Sequence, residues 1–141
     1  MTCTFFGHRD CPDSIMPKLR EALVRLIAEE GVNRFYVGNQ GNFDAMVYRV
    51  LCELRKIYQH ISVTVVLAYM PTEEIANKYG SDTILPEGIE AVPKRYAISW
   101  RNKWMIERSE YVVTYLTHSW GGAAQFVAKA EYQNKTIISL E

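Results

Sequence analysis

The residues with chemistry to offer stand at three polar, glycine-bearing turns. Gly7-His8-Arg9 ends a short apolar run, Gly38-x-x-Gly41-x-Phe43-Asp44 follows a second, and Ser119-x-Gly121-Gly122 follows a later one. A missing side chain lets backbone N–H groups approach an anion, and a helix starting at such a turn adds partial positive charge. Glycines also simply make tight turns, and either pair alone says no more than that. Both pairs together, with Arg9 beside them, shift the reading toward a phosphate-bearing ligand. Arg9 and Arg101 are the cations expected near that phosphate, because a guanidinium fork matches its oxygens, although a surface ion pair is the plainer role for Arg101. His8 and His118 have two readings each: donors or proton carriers near neutral pH, or plain turn residues. Asp44 falls in the first turn of a helix, where the helix dipole favours it, and ribose hydroxyls are its alternative partner. Cys11, three residues after His8, invites a Cys/His nucleophile reading that spacing alone does not support. Neither GxGxxG nor GxxxxGK followed by Ser or Thr occurs.

Whether these turns meet depends on the elements around them. Apolar, β-prone runs at 2–6, 34–37, 63–68, 111–116 and 136–140 alternate with helical stripes. Ile15, Leu19, Leu23, Leu26 and Ile27 form the first stripe, with Pro17 in its opening turn, and the second covers about 43–60. Further helices are expected near 98–109 and 122–134, with a short one at 72–79. Such a series predicts an α/β domain spanning 1–141, a five-stranded parallel sheet with helices on both faces and a long insertion at 69–97 after strand 3. A connection of that length reads as a lid or binding loop. Ligands of such sheets sit outside the carboxyl ends of the strands, which is where all three glycine turns fall. Lys94, Arg95, Arg101 and Lys103 follow the acidic part of the insertion as a candidate anion contact, and Trp100 and Trp104 are expected to pack together.

Composition narrows the classes. The chain has 141 residues, 48% apolar, with 16 basic and 16 acidic side chains and no net charge, which argues against a general nucleic-acid binder. No stretch has the apolar length of a membrane helix, and the first residues lack the pattern of a signal peptide, so a cytoplasmic address is expected. Cys3, Cys11 and Cys52 make an odd count without CxxC spacing, suggesting neither a disulfide framework nor a metal site. No cofactor is indicated.

Taken as an ordered set over nearly the whole chain, Gly7-His8-Arg9, Gly38-x-x-Gly41-x-Phe43-Asp44, Arg101-Asn102-x-x-Met105 and Gly121-Gly122-Ala123 resemble the SLOG superfamily of Rossmann-like domains. They are most similar to its DUF1273, or YpsA-like, group of small bacterial proteins. The resemblance implies a three-layer Rossmann-like domain with strand order 3-2-1-4-5. It also implies a pocket for a nucleotide or nucleotide-derived ligand lined by Gly7, His8, Arg9, Gly38, Gly41, Phe43, Asp44, Asn102, Ser119, Gly121 and Gly122, in a sensor module. The superfamily includes the Lonely Guy phosphoribohydrolases, which release a base from nucleoside monophosphates. Arg101 and Met105 match their R-K-x-x-M motif, with Asn102 in place of lysine, but their P-G-G-x-G-T-x-x-E motif is degraded here and its glutamate is missing. As an enzyme of that kind the chain would pair Arg101 with a relocated carboxylate, Glu107 or Asp44. The superfamily's single-strand DNA binder DprA implies a role that the balanced charge disfavours. Analogy with Rossmann-like proteins extends to a homodimer.

Overall fold

The computed structural model describes residues 1–141. In chain order its principal elements are β1 (Thr2–Gly7), α1 (Met16–Ala28), β2 (Arg34–Val37), α2 (Gly41–Ile57), β3 (Ser62–Val66), α3 (Glu73–Tyr79), β4 (Thr83–Ile84), α4 (Ala97–Glu107), β5 (Tyr111–Tyr115), α5 (Gly122–Tyr132) and β6 (Thr136–Ser139). Alternation along β1 sets the layers. Cys3 and Phe5 point to one side of the sheet, where Leu19, Leu23 and Leu26 of α1 and Val47, Val50 and Leu51 of α2 close over them. Phe6 points to the other, against Met105 and Ile106 of α4 and Val127 and Ala130 of α5. Thr4 joins that second side through its hydroxyl, 2.9 Å from the Tyr36 carbonyl and 3.5 Å from Met105 Sδ. Both faces are thus covered, as an all-parallel sheet requires.

The sheet corrects the sequence expectation of five strands in the order 3-2-1-4-5. It has six, all parallel, in the order β4-β3-β2-β1-β5-β6. The additional edge strand lies inside the insertion, where Thr83 and Ile84 pair with Val65 and Val66. Residues 69–97 therefore do not hang free as a lid. The Leu67 N–H donates to the Ile84 carbonyl at 2.9 Å, Tyr79 and Ile89 are buried, and Asp82 is clasped by Arg55 and Tyr48 of α2.

β1 stands between β2 and β5. The chain leaves β1 toward α1 on one side and leaves β5 toward α5 on the other, so the two connections part and open a crevice at the carboxyl edge. No helix is long and apolar enough to cross a membrane. All three cysteines are free thiols.

Candidate functional site

The crevice is a cleft of about 270 Å³ built from four segments. Gly7, His8 and Arg9 come from the end of β1; Gly38, Gln40 and Asp44 from the turn into α2; Ile98, Arg101, Asn102 and Met105 from α4; Gly122 and Ala123 from the start of α5. The glycines earn their places for different reasons. A side chain at Gly7 would meet the Phe43 ring at 2.4 Å, so Phe43 lies beneath the first turn in the core and does not line the cleft. Gly41, at φ +83°, is covered by Arg9, whose Cα stands 2.9 Å from where a Cβ would be. Gly38 separates an acid from a base: its Cβ would lie 2.7 Å from Asp44 Oδ2 and 3.3 Å from Arg101 Cζ. Gly121, at φ +97°, turns the chain into α5, and Gly122 faces open space at the helix N-terminus.

Arg101 is 2% exposed. Its Nη1 donates to the Val66 carbonyl at 2.8 Å and to Asn39 Oδ1 at 3.5 Å, and its Nε donates to Asn102 Oδ1 at 2.8 Å. All three acceptors are uncharged. None of the chain's ion pairs includes Arg101, and its Nη2 has no protein acceptor. Burial pushes this guanidinium down from its ordinary range, with Asp44 and Tyr69 opposing the shift. Asp44, half-buried, accepts the Gln40 N–H at 2.9 Å. Burial raises its carboxyl to about 6, against the lowering influence of the Gln40 N–H, Arg101 and Arg9.

On the β5 side, the His8 ring stacks on His118 at 3.6 Å, and His118 stacks on Trp120 at 4.0 Å. His118 Nδ1 lies 2.8 Å from the Trp120 carbonyl, which can only accept, so Nδ1 carries a proton. His8 is 8% exposed, and its Nε2 is buried without a partner. A free Nη2, an unpartnered imidazole nitrogen and the α5 N-terminus are the groups an anion would use. No group of His, Cys, Asp and Glu stands together in a way that would hold a metal ion.

Of the residues expected at the site, Gly7, His8, Arg9, Gly38, Asp44, Arg101, Asn102 and Gly122 line the cleft; Gly41 opens α2, Phe43 lies in the core, and Ser119 and Gly121 stand in the connection from β5 to α5, outside the lining. Glu107 is a correction. It lies six residues beyond Arg101, a rotation of about 240° around the helix, whereas Met105 four residues on shares the cleft face. Glu107 lines a separate groove with Trp100 and Trp104 and pairs with Lys103 at 3.8 Å and Arg108 at 3.9 Å. Lys94, Arg95 and Lys103 do not line the cleft either; Lys94 and Arg95 sit over Tyr69 and Tyr96. Sequence reasoning missed Phe5, Phe6, Gln40 and Ile98 as lining residues. Gln40 sits between two glycines already singled out, and its position just before α2 was the available signal. No family model matches the chain, and no curated protein matches it.

Proposed function

We propose that this chain is a recognition module for a small phosphorylated ligand of the nucleotide type, bound in the cleft with its phosphate toward Arg101, His8 and the start of α5. The observation that carries the reading is Arg101: a guanidinium 2% exposed, bonded only to neutral acceptors, with no carboxylate in ion-pair range. An unpaired buried charge is costly, and a bound phosphate would offset that cost with charge-assisted hydrogen bonds. Kinship with the SLOG superfamily, and with its YpsA-like group in particular, is part of this proposal. It is supported by the ordered motifs and by their convergence on one edge of a doubly wound, Rossmann-like sheet.

Titration calorimetry with the common nucleoside monophosphates tests it. Binding is expected in the wild type, weakened about thirtyfold or more by Arg101→Ala and only partly restored by Arg101→Lys, which lacks the planar fork. Equal binding by Arg101→Ala and wild type would overturn the reading.

A second reading, hydrolysis of the N-glycosidic bond of a nucleoside monophosphate, is favoured by one feature: a carboxyl raised to about 6 facing Arg101 across Gly38. Loss of the base builds positive charge on the sugar, which an ionised Asp44 would stabilise while taking a proton from the attacking water. Steady release of free base, followed by chromatography and abolished by Asp44→Asn, is the expected sign of that activity. Its absence with every monophosphate leaves the binding function alone.

A further inference from the structure

We propose that the hollow adjoining the cleft, between the loop that follows β2 and the Tyr69–Ile75 segment, receives a planar nitrogen heterocycle, the base of the nucleotide-type ligand. This inference rests on the binding function proposed above and assigns the other end of the ligand. The hollow has a volume of about 270 Å³ and lies next to the cleft, with Gln40 lining both. The two compartments differ in chemistry. The cleft holds Arg9, Arg101 and Asp44, whereas no charged residue lines the hollow. Its walls are apolar, with Leu67, Tyr69, Met70 and Ile75, and its polar side chains include the amides of Asn39 and Gln40. Apolar walls with a few amides suit an uncharged ring that has flat faces and a hydrogen-bonding edge.

The amides are oriented. Asn39 Oδ1 accepts from Gln40 Nε2 at 3.3 Å and from Arg101 Nη1 at 3.5 Å, which fixes which end of the Asn39 amide is oxygen. Its Nδ2 has no acceptor in the protein and remains a donor for a ring nitrogen or carbonyl. Asn39 thereby joins the two compartments: one atom steadies the guanidinium, and the other is left for the base. The wall opposite is held in place. The Tyr69 hydroxyl donates to the Lys94 carbonyl at 3.2 Å, and Lys94 Nζ lies 5.7 Å from the ring centre. Met70, which lines the hollow, is an apolar side chain left 75% exposed. Trp120, the exposed aromatic on the other side of the cleft, is already engaged with His118.

The test compares ribose 5-phosphate, which lacks a base, with the four common ribonucleoside monophosphates by calorimetry. At least one monophosphate is expected to bind about tenfold or more tightly than ribose 5-phosphate. Ile75→Trp, which fills the hollow from α3, should remove that advantage while leaving ribose 5-phosphate affinity unchanged. Met70→Trp, at an exposed position that the fold does not need, should alter the advantage without altering ribose 5-phosphate binding. Equal affinity of all five compounds for the wild type would overturn the base site and leave the cleft reading standing. An advantage that both variants preserve would also overturn it, since the base would then lie elsewhere. Failure of every compound to bind would overturn the cleft reading and this inference with it.

Discussion

Asp44 is the residue whose ionisation the fold resists. Its carboxyl is raised from 3.8 to about 6, so between those values the folded chain holds a proton that the unfolded chain has released. Stability therefore falls as pH rises through this window and levels off above about 7, with a cost near neutrality of about 2–3 kcal/mol. Asp44→Asn keeps an oxygen for the Gln40 N–H and removes the charge. It is expected to raise the urea midpoint at pH 7.5 and to flatten the pH dependence between 4 and 6; a lower midpoint at pH 7.5 would contradict the argument. Gly7→Ala makes the opposite kind of change, driving a methyl group to 2.4 Å from the buried Phe43 ring. Overpacking of this sort is expected to cost about 1–3 kcal/mol in chemical denaturation. The sequence singled out Gly7, Phe43 and Asp44, but it could not tell that Gly7 is bare for the sake of Phe43. Nor could it reveal that Arg101 is unpaired. Its acceptors include the Val66 carbonyl and Asn39, 35 and 62 residues away along the chain, so its environment exists only after folding.

Among the elements, the insertion is held to the sheet by a polar clasp as well as by strand pairing. Asp82, just before β4, receives Arg55 Nη1 and Nη2, both at 2.9 Å, and the Tyr48 hydroxyl at 2.8 Å. These contacts lower the Asp82 carboxyl, so their contribution is present at neutral pH and is lost as the acid protonates. Asp82→Ala is expected to cost about 1–3 kcal/mol and to speed proteolytic cleavage within 69–97 ahead of global unfolding. Cleavage no faster than in the wild type would mean that β4 and the apolar contacts suffice. The major helices and the five longer strands were legible from buried stripes or from apolar, β-prone runs bounded by turns. α1 and α2 show continuous buried stripes, and β3 buries Val63, Val65 and Val66. β4 was not legible: two residues give no period, and its pairing with Val65 and Val66 is set by the clasp and by Leu67, not by its own side chains. Glu107 misled for a related reason, because closeness to Arg101 in sequence concealed a different helical face.

Across the whole molecule the cleft is where its two apolar layers meet, since α2 belongs to one, α4 and α5 to the other, and β1 runs between them. A ligand there bridges segments from both sides of the sheet, so its effect should be global rather than confined to a loop. Bound at one hundred times its dissociation constant, a ligand adds about 2.7 kcal/mol to stability, which for a chain of this size corresponds to a rise in Tm of roughly 5–10 °C. Amide exchange gives the sharper test. Added monophosphate should slow exchange together at residues 7–9, 38–44 and 121–124, because the end of β1 and the starts of α2 and α5 supply the cleft's backbone turns. Arg101→Ala should weaken all three effects at the same ligand concentration, since a thirtyfold loss of affinity cuts the added stability from about 2.7 to about 0.9 kcal/mol. Protection at one turn alone would show that the turns act separately, and protection confined to the groove of Trp100, Trp104 and Glu107 would move the ligand to the outer side of α4. Protection at all three segments that exceeds the slowing of amides elsewhere in the sheet is the mark of a single molecule spanning the point where the sheet changes its direction of winding.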